Sequence, residues 1–472
     1  MASIFESIDY EVNPTYKFWR EADELSLQDS TERKILKSTL MFLTPNGKFK
    51  LRTVILTPGR MYMCKGDNSI PSKMVIVTWK KLEAFCEASD DEERYGFRLI
   101  QRGIFQDFYV KNPRELEDWL DALSNESILA DLEEDFAVIK EIGNGNYAKV
   151  YLAQDVQDHK EFAIKSISKQ AILASSRSTS ALISEISVMR KLLHPHLLKL
   201  HKVYENEKFI HLILDYLPGG DLFHRIIERS SISEQNSVKF MKNLLEALDY
   251  MHSHNFIHRD LKPENILMAN LTDDFEFKIA DFGLACECIE DQLIRCGSPG
   301  YVAPEILKKM SYGKKVDIFS AGIILYVLLS SRAPFFGKTP NEVLMRNKEC
   351  KIYFQDRYWR NVSKEGIDFV LRLTESNPDS RPSAKEALRH PWLSLSIKEK
   401  PIAKLLDVPD GNSNGISGEL MRRMNKARGP DGIVPKKEEE AKGLSEVQKA
   451  SINQNAKNLL SRLRSMDTEI KK

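Results

Sequence analysis

Three polar clusters of this chain carry residue types that can hold a cation, take up a proton or neutralise an anion. His258-Arg259-Asp260-Leu261-Lys262-Pro263-Glu264-Asn265 comes first, then Asp281-Phe282-Gly283, then Ala303-Pro304-Glu305. Each adjoins an apolar run (Ile266 to Met268, Phe277 to Ala280, Val302), the pattern of loops leaving short buried strands, where a rigid scaffold fixes reactive side chains. A positioned carboxylate can accept a proton, and carboxylate and amide oxygens are the ligands that hard divalent cations prefer. Upstream, Lys165 stands between apolar residues in the strand-like run Glu161 to Ser166, where an ammonium is costly unless paired. Taken singly, each acid reads as a helix cap or a surface charge. Their joint order and spacing argue for one site.

That order resembles the catalytic loop, the metal-binding loop and the end of the activation segment of eukaryotic protein kinases. The resemblance implies an α+β bilobal kinase fold over residues 136–393 that transfers the γ-phosphate of ATP, with Mg2+, to protein hydroxyls. It assigns Asp260 to the substrate hydroxyl proton, Lys262 to the transferring phosphoryl group, and Asn265 and Asp281 to magnesium. Lys165 is expected to meet ATP phosphates and Glu185, in the helical run Ala181 to Met189. Ile142, Gly143, Asn144, Gly145, Val150 and Ala163 would line the nucleotide on a glycine-rich strand turn. Ala148 replaces that pattern's third glycine, and Asp215 and Leu217 form the hinge that meets adenine.

Lys262-x-x-Asn265 resembles serine/threonine kinases, as does Gly297-Ser298-Pro299-Gly300-Tyr301, with Ser298 where a threonine usually supports the catalytic aspartate. The Pro218 to Phe223 run and the His390-Pro391-Trp392 ending are similar to the calcium/calmodulin-dependent group. Asp221 and Glu264 match positions that hold a basic substrate residue, which implies an arginine N-terminal to the acceptor. Arg259 usually needs an anionic partner in the activation segment. No serine, threonine or tyrosine lies between Gly283 and Gly297, so Glu287, Glu290 or Asp291 is expected to replace a phosphate there. A scaffold that binds partners without catalysis is the rival reading, disfavoured by the joint presence of Lys165, Asp260, Asn265 and Asp281.

The elements that must position these groups are a strand at Phe136 to Ile142, a buried strand at Ile210 to Leu214, and helices at Ser233 to His252 and Val316 to Leu329. Before them, strands at Ile35 to Leu43, Phe49 to Thr57, Met61 to Met63, Met74 to Trp79, Tyr95 to Leu99 and Phe105 to Val110 precede an amphipathic helix at Asn112 to Leu123. This describes a small antiparallel β-barrel capped by a C-terminal helix. It resembles a pleckstrin-homology domain over residues 33–125, Trp119 being the most telling residue. Phosphoinositide-binding members of that family carry cations where Lys48, Lys50 and Arg52 stand, which implies a membrane-surface partner. The basic residue expected at the end of the first strand is missing. Residues 1–32 commit to no element, and 126–135 read as an acidic linker.

The 472 residues, 42% hydrophobic and 29% charged with a formal net charge of +1, exceed one hydrophobic core and provide no bulk attraction for nucleic acid. Six cysteines without a pairing framework, and no signal peptide, predict a reducing cytoplasmic compartment, with peripheral membrane contact through the N-terminal domain. The longest apolar run, Ala321 to Ser330, falls short of the roughly 18 residues a membrane span needs. Residues 394–472 are charged and poor in aromatics. Asp410-x-Asn412-x-Asn414-Gly415 begins like a calcium loop, but Met421 occupies the twelfth position, where a bidentate glutamate belongs. Met421 to Arg428 is a short basic and apolar patch, and the calcium/calmodulin-dependent group binds calmodulin in this region.

Overall fold

The computed structural model describes residues 3–7, 18–22, 34–43, 48–65, 70–88, 93–145, 148–174, 179–229, 232–288 and 293–394. The tail patch, Asn146, Glu290 and Asp291 lie outside the described residues. Among the described residues the chain forms two compact units, one drawn from Met1–Thr179 and Leu200–Tyr216, the other from Ser180–Lys199 and the described residues from Leu217 to Ser394.

In the first unit, β1 (Arg20–Glu21), β2 (Leu36–Leu43), β3 (Phe49–Thr57), β4 (Arg60–Cys64), β5 (Pro71–Ile76), β6 (Lys81–Ala88), β7 (Glu93–Gln101) and β8 (Ile104–Tyr109) build one antiparallel sheet. Their spatial order is β1-β5-β4-β3-β2-β8-β7-β6. Alternation puts Leu40, Val54, Leu56, Phe97 and Phe108 on one buried face, against Leu116, Trp119 and Leu123 of the helix Pro113–Ser124. Asn112 caps that helix by accepting the Glu115 N–H (2.9 Å), and Pro113 occupies its first turn, where no amide donor is needed. Trp119 is fully buried, stacks on Phe97 (5.5 Å between centroids) and donates its indole N–H to Ser38 Oγ (2.9 Å).

Three expectations need correction. The sheet is not a closed barrel: among the described residues β1 and β6 are its two ends and do not pair. The start of β6's edge is taken by another segment. Ile128 N–H donates to Lys80 O and Leu82 N–H to Ile128 O, both at 2.9 Å, so the start of this edge pairs with Ile128 and not with β1. Secondly, β6 is a strand where none was expected, although Lys81, Glu83 and Glu87 alternate with Leu82, Ala84 and Cys86 in the period-2 pattern of a half-buried strand. Thirdly, the N-terminal extension does form structure: a 3₁₀ turn at Ile4–Ser7, the strand β1 on β5, and Phe18 and Trp19 packed on the core of the sheet. These elements come from tertiary pairing and leave no local periodicity.

A second sheet in the same unit has the order β12-β13-β11-β10-β9, from β9 (Phe136–Asn144), β10 (Ala148–Asp155), β11 (Glu161–Ser168), β12 (Leu200–Glu205) and β13 (Phe209–Asp215). The stretch read as a linker is an integral part of the unit. Leu129 N–H donates to Val203 O and Glu205 N–H to Leu129 O (both 2.8 Å), so residues 127–129 cover the edge of β12 as well as that of β6. The short helix Leu132–Asp135 follows, and Asp135 accepts from Lys202 Nζ (3.2 Å) and from the Tyr204 hydroxyl.

The second unit is helical. Lys315–Ser330 is apolar all round and buried along its length, as a central core helix must be, and it packs against Glu234–Ser253 and Lys364–Leu373. Ser233 caps the 20-residue helix Glu234–Ser253 by accepting the Asn236 N–H (3.2 Å). Among the described residues no helix is long and apolar enough to cross a membrane.

Candidate active site

Two short antiparallel ribbons flank the loop 258–265: Phe256–Ile257 with Cys286–Glu287, and Ile266–Met268 with Phe277–Ile279. The core helix Lys315–Ser330 contributes one fully buried acid, Asp317, to hold that loop. Its carboxylate accepts the backbone N–H of His258 and of Arg259, and His252 Nε2, each at 2.9 Å. Burial opposes its ionisation, but hydrogen bonding from His252 and the nearby His258 outweigh burial and hold the carboxyl below its ordinary value. Arg259 (φ 67°) and Asp281 (φ 60°) both adopt the left-handed backbone region, uncommon for residues with a Cβ and tolerated where the surroundings over-determine the chain.

Asp260 is the centre of a compact polar node. Oδ1 accepts the Ser298 hydroxyl (2.7 Å), and Oδ2 accepts Lys262 Nζ (2.8 Å) and Asn265 Nδ2 (3.2 Å). Lys262 Nζ also donates to Ser298 Oγ (2.8 Å). Burial raises the Asp260 pKa, yet the Lys262 and Ser298 donors outweigh it and hold the carboxyl below its ordinary value. Ser298 reaches this node from a tight turn. Gly297 has φ +105°, and a Cβ there would come within 3.0 Å of Arg259 O. Replacing Ser298 with alanine is expected to lower kcat about 10- to 100-fold, the value of a hydrogen bond to a charged group, while Ser298→Thr keeps the hydroxyl and most of the rate. Because Asp260 is held low, it stays ionised through the neutral range. Removing one of its donors raises its pKa, so the acid limb of the kcat profile moves to higher pH in Ser298→Ala. An unmoved limb would show that Ser298 does not support Asp260.

The residues named for a metal fit a hard cation. Asn265 commits its amide donors to Asp260 O (2.9 Å) and Oδ2, which leaves its carbonyl oxygen as an acceptor. Asp281 is exposed and, among the described residues, accepts the Gly283 N–H (3.3 Å). Among the described residues no three His, Cys, Asp or Glu side chains gather to hold a metal. Two oxygen donors with the remainder from water and phosphate is the arrangement magnesium uses and zinc does not.

In the first unit, strand register aligns Gly143, Val150 and Lys165 across β9, β10 and β11, and Ala163 faces Leu214 on β13. Gly145 N–H closes the turn on Ala148 O (2.9 Å); Ile142 and Asn144 are exposed beside it. Asp215 ends β13 and accepts His201 Nε2 (2.8 Å). Lys165 is half-buried on β11, while Glu185 and Met189 are buried on the helix Thr179–Lys191, and Leu217 belongs to the second unit.

Other expectations fare differently. Glu287 does not serve Arg259; it pairs with Lys191 (2.9 Å). Arg259 instead donates Nε to Leu284 O (2.7 Å) and Nη1 to the Tyr312 hydroxyl (3.2 Å), and among the described residues no acid pairs with it. A backbone carbonyl and a phenol take two of its five donors, and Glu290 and Asp291, the other acids expected to meet it, lie outside the described residues. Tyr312, 53 residues away, left no sequence signal for that role. Asp221 caps the helix Leu222–Arg229, accepting the His224 N–H and Nδ1 (both 2.8 Å), the ordinary use of an acid at a helix start. Glu264 differs: its Oε2 is buried with no hydrogen-bond partner among the described residues. Lys48, just before β3, and Lys50 on it are exposed, and Arg52 turns its guanidinium onto Leu51 O (2.8 Å).

The last of the three clusters is structural. Glu305 and Arg381 are both buried and joined by two hydrogen bonds, 2.7 and 3.0 Å. Arg381 also donates to Glu375 O and Lys315 O, tying the end of the activation segment to the helical core.

Comparison with known proteins agrees with this geometry. The family described as "Protein kinase domain" matches residues 136–393. "Probable serine/threonine-protein kinase 2" of Plasmodium falciparum is 40% identical over 258 residues, 54% of this chain and 50% of that protein. "Calcium/calmodulin-dependent protein kinase type 1" of Caenorhabditis elegans is 37% identical over 255 residues, 54% of this chain and 72% of the relative. "Myosin light chain kinase A" of Dictyostelium discoideum is 35% identical over 277 residues, 58% of this chain and 93% of the relative. With Asp260, Lys262, Asn265 and Ser298 gathered in one node and the family model matching more than half of the chain, this chain belongs to the protein kinase family.

Proposed function

We propose that the chain transfers the γ-phosphate of ATP to serine or threonine hydroxyls of proteins. The observation that carries this reading is Asp260, a carboxylate kept ionised by Lys262 and Ser298 and steadied by Asn265. Its two oxygens are fixed by these donors, so a substrate hydroxyl meets a preset acceptor. A carboxylate with a lowered pKa is a weak base. It orients the hydroxyl first and takes its proton late, as the oxygen–phosphorus bond forms and ADP leaves, which suits a loose phosphoryl-transfer transition state. Lys262 offers positive charge beside the same hydroxyl. Asn265 and Asp281 would hold magnesium, which when bound offsets phosphate charge, and Lys165 with the Gly143 to Gly145 turn would hold the phosphates. Transfer of labelled phosphate from ATP to a basic serine peptide tests the reading; ATP binding without transfer on several peptides would favour a scaffold.

Glu264, a half-buried carboxylate of the catalytic loop whose Oε2 meets no protein donor among the described residues, supports a preference for arginine N-terminal to the acceptor. Glu264→Gln is expected to raise KM for an arginine-containing peptide about 10- to 100-fold, with little change for the same peptide carrying alanine there. Equal KM effects on both peptides would remove Glu264 from substrate recognition. For the N-terminal sheet, the closing helix and buried Trp119 support a pleckstrin-homology-like reading. The relatives named calcium/calmodulin-dependent support calmodulin control through the tail, read out by adding calcium and calmodulin to the transfer assay.

A further inference from the structure

Residues 3–5 cross the seam at which the two sheets of the first unit are joined. Residues 127–129 link β6 to β12, with Lys80 and Leu82 on one side and Val203 and Glu205 on the other. Phe5 is 1% exposed and stacks on Trp79, 5.3 Å between centroids and 15° between planes, next to Lys80. On the far side of the seam, the Ser3 hydroxyl donates to Glu205 Oε2 (2.5 Å) and the Ile4 N–H to Glu205 Oε1 (3.0 Å). The same carboxylate meets Lys169 Nζ at 2.8 Å, in a pair whose side chains are 2% and 8% exposed. Lys169 directly follows β11, the strand that carries Lys165, and its own N–H donates to Lys208 O (3.0 Å).

A buried ion pair is sustained only when its remaining lone pairs are also met. With the N-terminal residues in place, Glu205 receives the Ser3 hydroxyl, the Ile4 N–H and Lys169. Without them two donors are gone, and Lys169 must hold an under-satisfied carboxylate. Phe5 contributes the apolar half of the contact by covering Trp79.

We propose that residues 3–5 act as an intramolecular ligand of this junction, and that Glu205 is the positioning residue through which they hold the end of β11 and so Lys165. The consequence for ATP rests on the reading of Lys165 given above; the consequence for the sheet does not. A phosphoryl group on Ser3 would remove the hydroxyl donor and set an anion against Glu205, so modification there releases the segment.

The full-length chain, Ser3→Asp, Phe5→Ala and Ser3→Thr are to be compared by hydrogen exchange across residues 161–174 and 200–208, and by KM for ATP and for peptide measured separately. Ser3→Asp and Phe5→Ala are expected to speed exchange in both segments and to raise the KM for ATP about 5-fold or more, with the peptide KM unchanged. Ser3→Thr keeps the hydroxyl and should match the unmodified chain. Unchanged exchange in both disruptive variants overturns the ligand role, and faster exchange with an unchanged ATP KM overturns the positioning role. If the unmodified chain neither binds nor uses ATP, the kinase reading fails, while the exchange data still decide the junction.

Discussion

Asp260→Asn is expected to lower kcat by about 10²- to 10⁴-fold, the usual contribution of a positioned acid or base, with KM for ATP nearly unchanged. The amide matches the carboxylate in size, so the loop keeps its shape. Asp317 still accepts the His258 and Arg259 backbone, and the melting temperature should stay within a few degrees of the parent. What is lost is the charge that pairs with Lys262 and receives the hydroxyl proton. Steady-state transfer to a serine peptide and a thermal melt decide the matter together. Full activity in Asp260→Asn would refute the role given to this residue, and the chain would then be better read as a scaffold that binds partners without catalysis.

Arg381→Met should produce the largest loss of stability. The pair with Glu305 is buried on both sides, with 0% and 1% of the side chains exposed, and removing one partner leaves a carboxylate in the core without its counter-charge. That costs about 3–5 kcal/mol, and the melting temperature should fall by about 10 °C. Replacing both partners, Glu305→Leu with Arg381→Met, removes the orphaned charge and should recover much of the loss. Recovery stays incomplete because Arg381 also donates to the carbonyls of Glu375 and Lys315. A single variant that melts with the parent would show that water reaches this pair and that it does not hold the activation segment in place.

The catalytic node was legible because its members lie close in sequence or in a recognisable order. Asp260, Lys262 and Asn265 span six residues, and Ser298 falls in a run whose glycine at φ +105° leaves little choice of residue. The surroundings of Arg259 were not legible. Its position implied an anion, and acids stood nearby in the chain, yet geometry gave Glu287 to Lys191 and gave Arg259 a carbonyl and the Tyr312 hydroxyl. Asp221 likewise matched a substrate-binding position and is engaged by its own helix start. Hydrogen-bond competition of this kind depends on distances that residue types alone do not encode.

By itself the amino-acid sequence determined the reaction class, the long helices and most strands of the N-terminal sheet, because each rests on local periodicity, caps or closely spaced polar groups. Only the tertiary structure decided what becomes of sheet edges and of segments without periodicity. Residues 127–129 look like an acidic linker until two edge strands, β6 and β12, are seen to share them. Ser3 to Phe5 carry no pattern at all, and their place is set by a carboxylate and an indole more than 70 residues away along the chain. Backbone amides and buried charges must find partners somewhere, and which partner they find is settled by the whole fold.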